Sequence, residues 1–175
     1  MLRGFKRVKS GSEGQRGKGA KLLFFIPTTL TVVILDFITK RLIEMYVHPF
    51  ETIHVLPFLQ IVNIKNPGAA FGILSNLSNS IFIIVAIIAI FFIINYLLKT
   101  EERLERISLS LVLGGAVGNL IDRIKIGKVI DFIDIYVGSW HWPAFNVADS
   151  ALTIGIILFL IANLRQWRRH DETHR

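Results

Sequence analysis

Hydrophobic runs long enough to cross a bilayer are the feature that most constrains this chain. The run from Ser80 to Leu98 is interrupted only near its end, by Asn95, and predicts a transmembrane helix. Apolar residues make up 52% of the 175, and the mean hydropathy is +0.53, which is high for a soluble domain. We therefore predict an integral membrane α-helical protein with four transmembrane helices, at about 22–43, 80–98, 107–121 and 147–164. Within the third, Gly114 and Gly118 form a small-x-x-x-small pair that indicates close helix packing.

The basic residues predict the orientation of these helices. They precede the first helix, occupy the connection between the second and the third, and follow the fourth. Cytoplasmic segments of membrane proteins carry an excess of Lys and Arg, so both termini and this connection are expected in the cytoplasm. The same rule accounts for the net charge of +7 without a nucleic-acid partner. The predicted domains are a disordered basic tail at 1–20, a membrane domain at 21–165 and a cytoplasmic tail at 166–175.

The two connections predicted to lie outside, 44–79 and 122–146, are too long and too apolar to be simple turns. Residues 58–64 and 133–137 alternate between apolar and polar side chains, which predicts strands of a small outward-facing β element. Trp140, Trp142 and Phe145 suit an aromatic belt at the outer interface, and stacking on a substrate is the alternative.

Ionisable and amide side chains converge near this outer boundary. A helical rise of about 1.5 Å per residue places Asp36 in the outer third of the bilayer. Asn119 and Asp122 lie at the outer end of the third helix, Asp149 begins the fourth, and Asp131 lies in the connection between them. Charged groups at membrane depth are costly and are retained mainly for function, so this cluster is the candidate site.

The residue types narrow the chemistry of this site. The chain has no cysteine, which excludes a thiol nucleophile and a thiolate metal site. It has no H-E-x-x-H, so a zinc site is not expected. It has no G-x-S-x-G turn, and Ser108 and Ser110 lie far from Lys40, so a serine nucleophile is not expected either. No cofactor is expected. A pair of neighbouring aspartates remains, in which one holds a proton while the other acts as a base on water, as in aspartic proteases. A small four-helix proton-coupled transporter is the alternative, and it predicts carboxylates near the bilayer midplane with short connections.

Five motifs make the chain resemble the lipoprotein signal peptidases, also called signal peptidase II. They are L-D-F-I-T-K at 35–40, N-P-G-A-A-F at 66–71, G-G-A-V-G-N-L-I-D-R at 114–123, V-I-D-F at 129–132 and F-N-V-A-D at 145–149. The resemblance runs from about Leu22 to Leu164 and is specific because the motifs occur in this order and at these depths. Two positions depart from the family pattern: Phe37 stands where glutamine is common, and Pro67 where threonine is more usual.

The resemblance implies a membrane aspartic endopeptidase with Asp131 and Asp149 as its catalytic dyad. It also implies a set of residues that bind substrate or support the site: Asp36, Lys40, Asn66, Gly68, Asn119, Asp122, Arg123, Asn146 and Ala148. The implied reaction removes signal peptides from diacylglyceryl-modified prolipoproteins on the amino side of the lipidated cysteine, at the outer face of the bacterial cytoplasmic membrane. The expected partners are lipidated prolipoproteins and membrane lipids, and the chain is expected to be a monomer.

Two further expectations concern single carboxylates. Adjacent opposite charges predict a structural ion pair between Asp122 and Arg123. The alternation of the second predicted strand turns Asp134 outward, toward solvent or the interface.

Overall fold

The computed structural model describes residues 11–68 and 77–173, and these form four helices and four strands. In chain order they are α1 (Gly11–Tyr46), β1 (Thr52–Leu56), β2 (Leu59–Asn66), α2 (Asn79–Lys99), α3 (Arg103–Ile126), β3 (Val129–Val137), β4 (Trp140–His141) and α4 (Val147–Thr173). The predicted membrane α-helical fold with a small β element is confirmed.

The outer surface of the helices is apolar. Within the described residues, three helices are long and apolar enough to cross a membrane: Asn79–Lys99, Arg103–Ile126 and Val147–Arg169. Along α2 only Leu97 is buried, and most of its Ile and Phe side chains are exposed. Helix α1 also exposes an apolar face, on which Leu30, Ile34 and Leu35 are each about half exposed. Apolar surface of this extent is covered by lipid in a membrane protein.

The helices are longer than the apolar runs that predicted them. Helix α3 begins after the N-cap Glu102, whose side chain accepts from the backbone N–H groups of Leu104 and Glu105, and ends at Gly127 with φ 72°. Helix α4 continues to Thr173, so the predicted tail from 166 is helical over its described part. The disordered tail predicted at 1–20 is corrected for 11–20, which extend α1, while 1–10 lie outside the described residues. Once a membrane segment has nucleated a helix, each further residue needs to fix only its own backbone, so polar flanks continue it.

The four strands form one antiparallel sheet in the order β1-β2-β3-β4. The predicted strands at 58–64 and 133–137 fall within β2 and β3, whereas β1 and β4 were not predicted. A register shift interrupts the pairing of β2 with β3 between Ile61 and Ile64, after which Ile64 pairs with Asp131. Asp131, which lies in the predicted connection but outside the strand predicted at 133–137, is therefore held in strand β3.

Helix α3 lies at the centre of the bundle because its glycines admit neighbours on two sides. A Cβ at Gly114 would lie 2.7 Å from the Val32 Cβ of α1, and a Cβ at Gly115 would collide with the Ala148 carbonyl oxygen of α4. Larger residues would push these helices apart, so the predicted close packing at Gly114 is confirmed.

Candidate active site

The first turn of α4 is held by a reciprocal pair of hydrogen bonds. The Asn146 Oδ1 accepts from the Asp149 backbone N–H at 2.8 Å, and the Asp149 Oδ2 accepts from the Asn146 backbone N–H at 3.3 Å. This is the geometry of a capping box, in which the residue before the helix and the third helical residue satisfy each other's backbone donors. The F-N-V-A-D motif thus fixes the Asp149 side chain at the helix start.

Asp131 lies on β3, which is joined directly to the segment that leads into α4. The Phe145 carbonyl accepts from the backbone N–H groups of Phe132 and Ile133 at 3.0 and 2.8 Å, and the Phe145 N–H donates to Ile133. The Asp131 side chain is 2% exposed, and its Oδ2 accepts from the Asn66 Nδ2 at 2.9 Å. Strand and helix therefore bring Asp131 and Asp149 toward each other.

Asn146 links the two carboxyl groups. Its side chain is fully buried, and its Nδ2 donates to the Asp131 Oδ1 at 2.8 Å while its Oδ1 accepts from the Asp149 backbone. Burial raises the pKa of Asp131 to about 7; the hydrogen bond from Asn66 opposes this shift and the charge of Asp149 adds to it. Such a carboxyl holds its proton near neutral pH, as an acid–base pair requires.

A buried lysine orders the other side of the site. The Lys40 Nζ lies 2.7 Å from the Asp36 Oδ2, 2.9 Å from the Asp122 Oδ2 and 3.1 Å from the Asn119 Oδ1. An ammonium group offers three donors, and these contacts occupy all three. Because Lys40 takes the Asn119 oxygen, the amide nitrogen of Asn119 faces Asp149 and donates to its Oδ1 at 2.8 Å.

The ion pair predicted between Asp122 and Arg123 is wrong. Asp122 pairs with Lys40 and accepts from the Ile130 backbone N–H, whereas the Arg123 Nη2 donates to the Gly68 carbonyl at 2.5 Å. Consecutive residues of a helix point in different directions, so proximity in sequence does not bring their side chains together.

Asp134 is also not where the sequence placed it. It is 6% exposed, accepts from the Gln60 Nε2 at 2.6 Å, and lies 2.9 Å from the His141 Nδ1. The neighbouring strands β2 and β4 cover it, and β4 was not predicted from the sequence. Asp134 is therefore a buried residue of the sheet.

A cavity of about 610 Å³ opens onto the two aspartates. Its described lining combines polar groups with apolar walls: Asn66, Gly68, Asn119, Arg123, Val129, Asp131, Trp142, Pro143, Ala144, Phe145, Asp149, Ser150, Leu152, Thr153 and Ile154. Trp142 and Phe145, two of the three aromatic residues predicted to form an interfacial belt, thus face this cavity. An apolar cleft with a few convergent polar groups suits an amphiphilic substrate.

The structure gathers all the predicted site residues around this cavity or directly behind it. Gly68 and Ala148 take part through their backbone groups. The Gly68 carbonyl accepts from Arg123, and the Ala148 N–H donates to the Asp36 Oδ1 at 2.9 Å. Gly118 leaves the room for this contact, since a Cβ there would lie 2.6 Å from the Asp36 Oδ2. Two residues of α2, Asn79 and Phe82, contact Arg123 and were not predicted, because no motif or periodicity marks them.

Known proteins of one family are similar to this chain in sequence and in fold. The family model of Peptidase_A8, described as signal peptidase (SPase) II, matches residues 28–165. A lipoprotein signal peptidase of Syntrophotalea carbinolica is 43% identical over 156 residues, covering 86% of this chain and 96% of that protein. One from Thermodesulfovibrio yellowstonii is 42% identical over 135 residues, covering 77% and 90%. A solved bacterial membrane enzyme is similar in fold, with a TM-score of 0.75 and 38% identity over 84% of this chain and 88% of that one.

Proposed function

The chain belongs to the signal peptidase II family of aspartic peptidases, and on that premise we propose that Asp131 and Asp149 form its catalytic dyad. It is a multi-pass membrane peptidase that removes signal peptides from prolipoproteins. One observation carries the assignment of the dyad: Asn146 joins the two aspartates by hydrogen bonds, and both face the same cavity. The transporter alternative is set aside, because the family is one of peptidases.

Asp131 holds the shared proton at rest, because burial raises its pKa to about 7. Asp149 is the base: it takes a proton from water as the water oxygen attacks the carbonyl carbon of the scissile bond. Asp131 gives its proton to the carbonyl oxygen, which forms a tetrahedral diol. The carbon–nitrogen bond then breaks as the proton on Asp149 passes to the leaving amine and a hydroxyl proton returns to Asp131, so that both carboxyls regain their starting states.

The neighbouring polar residues hold the dyad in place during these steps. Asn66 and Asn146 donate to Asp131, and Asn119 donates to Asp149, and these hydrogen bonds restrict the rotation of both carboxyls. The apolar wall of the cavity suits a substrate chain that leaves the bilayer at the depth of the two aspartates. This supports cleavage on the amino side of a cysteine that carries diacylglycerol, with the acyl chains in the lipid beside the enzyme.

The orientation that fits this substrate places the dyad near the outer surface of the cytoplasmic membrane and both termini in the cytoplasm. Prolipoproteins present their signal helix across the membrane and their mature part outside it, so the scissile bond lies at the outer boundary. The excess of Lys and Arg at both ends of the chain and in the α2–α3 connection supports the same orientation. One chain supplies both aspartates, which supports a working monomer.

The dyad is tested by Asp131→Asn and Asp149→Asn, which keep size but remove the titrating group. Each variant, purified and incubated with a lipidated prolipoprotein, should release no signal peptide in a gel-shift assay. The double variant should be little worse than either single one, because the two residues act as a unit. Asp171→Asn, at an exposed position on α4, is the matched control and should cleave normally. Substantial turnover by either single variant would exclude the dyad.

A further inference from the structure

Two side chains of α2 hold the guanidinium of Arg123. The Asn79 Nδ2 donates to the Arg123 carbonyl at 2.9 Å, and the Arg123 Nη1 donates back to the Asn79 Oδ1 at 3.4 Å. The Arg123 Cζ lies 4.1 Å from the centre of the Phe82 ring, within the range of a cation–π interaction. Helix α2 also packs inward near its C-terminal end, where Leu97 is fully buried, so Asn79 and Phe82 form a separate inward contact at its first turn.

From Arg123 a continuous series of hydrogen bonds leads to the dyad. The Arg123 Nη2 donates to the Gly68 carbonyl at 2.5 Å, and the Gly68 N–H donates to the Asn66 Oδ1 at 2.9 Å. The Asn66 Nδ2 in turn donates to the Asp131 Oδ2 at 2.9 Å. Because the Gly68 N–H binds the Oδ1 of Asn66, the Nδ2 of Asn66 is directed at Asp131. The position of the Asp131 carboxyl thus depends on the contact between α2 and Arg123.

We propose that Asn79 and Phe82 are positioning residues for the peptidase reaction, which act by fixing Arg123 on the Gly68 carbonyl and thereby the Asn66 amide on Asp131. This inference rests on the proposed role of Asp131. Arg123 is 8% exposed, and none of the ion pairs among the described residues joins it to Asp131 or Asp149. The charges of Asp131, Asp149 and Asp122 act on this guanidinium from beyond ion-pair contact. Its position is therefore set by the polar and aromatic groups that touch it. Asn79 and Phe82 supply them.

Phe82→Leu removes the aromatic face and keeps an apolar side chain, and Asn79→Ala removes both hydrogen bonds to Arg123. Each should lower kcat about fivefold with KM changed less than twofold, because the Asn66 amide is then free to move. Each should also move the alkaline limb of the kcat profile upward, since the bond from Asn66 lowers the pKa of Asp131. Phe82→Tyr, which keeps the ring, should restore both quantities.

The same helix provides matched controls. Phe91→Leu changes a phenylalanine that is 61% exposed, and Asn95→Ala changes an asparagine whose side chain donates to a carbonyl of its own helix. Both controls should keep the kcat and the pH profile of the unmodified enzyme. All rates are measured on purified full-length protein and divided by the folded fraction, so that loss of stability does not count as loss of turnover.

A double-variant cycle tests the route through Asn66. In the Asn66→Ala background, Phe82→Leu should have almost no further effect on kcat or on the alkaline limb. The inference is overturned if Phe82→Leu and Asn79→Ala behave like their controls, or if the effect of Phe82→Leu persists undiminished without the Asn66 amide. Either result, obtained while Asp131→Asn is inactive, would leave the dyad standing. Turnover by Asp131→Asn would instead refute the proposed function.

Discussion

The pH dependence of cleavage should respond to a single hydrogen bond, the one from the Asn66 Nδ2 to the Asp131 Oδ2, which spans 2.9 Å. Burial raises the pKa of Asp131 to about 7, and the dyad is active with one proton. The rate is therefore full below that pKa and is lost as the pH rises through it. With a pKa near 7, the rate at pH 8 should be about one tenth of the rate at pH 6.

Asn66→Ala removes a donor that favours the ionised form, so the pKa of Asp131 should rise further. A hydrogen bond to a buried charged group is worth about 1.5–3 kcal/mol, and one pKa unit corresponds to about 1.4 kcal/mol. The protonated carboxyl retains part of this interaction, so we take the lower end, a rise of about one unit. The rate of the variant at pH 8 should then be about half of its own rate at pH 6.

The assay is the initial rate of cleavage of a lipidated prolipoprotein between about pH 5.5 and 9.5, with each variant scaled to its own plateau. Asn63→Ala is the control, because Asn63 also lies on β2 but donates to the Val47 carbonyl, away from the dyad. Asn63→Ala should keep the ratio of the rate at pH 8 to the rate at pH 6 that the unmodified enzyme shows. An alkaline limb that stays in place or moves downward in Asn66→Ala would refute the argument that this bond sets the titration of Asp131.

Four other outcomes are expected. Gly115→Ala should destabilise the protein by about 1–3 kcal/mol and lower activity, because its Cβ would meet the backbone of α4; thermal unfolding in detergent measures this. Lys40→Met should cost about 3–5 kcal/mol by leaving buried carboxylates unpaired, whereas Lys65→Met, at a half-exposed cation, should cost under about 0.5 kcal/mol in the same assay. A cysteine at the exposed position Ser139 should react with an impermeant thiol reagent in intact cells, and one at the exposed position Lys99 should not; the reverse labelling would overturn the proposed orientation. An unlipidated precursor should be cleaved at least about tenfold more slowly, and equal kcat/KM values would point to a general intramembrane aspartic protease.

The sequence was sufficient to predict the membrane helices, because a long apolar run can adopt few stable structures other than a helix within a membrane. It also led to the proposed site residues, through motifs that occur together in one family. Local capping explains part of that success: in F-N-V-A-D the hydrogen bonds join Asn146 to Asp149, three residues away, so the motif contains its own geometry.

Contacts between distant elements could not be predicted in this way. The partner of Asp122 is Lys40, on another helix, and the burial of Asp134 depends on the strand β4, which is two residues long and carries no periodic signal. The contact of Phe82 with Arg123 joins two helices, and nothing in the composition of α2 separates Phe82 from its lipid-facing neighbours. These pairings depend on how the elements pack against each other, and this packing cannot be predicted from the sequence of a single element.

The close approach of α3 and α4 at Gly115 has a mechanical effect on catalysis. The close approach at Ala148 lies one residue from Asp149, so a shift of α4 along α3 would move the proposed catalytic carboxyl. When bilayer thickness changes, helices respond by tilting or by deforming the surrounding lipid. Because α3 packs this closely on its neighbours, we expect the helices to tilt together, so that the gap between the two carboxyls depends on the protein and not on the thickness of the lipid around it.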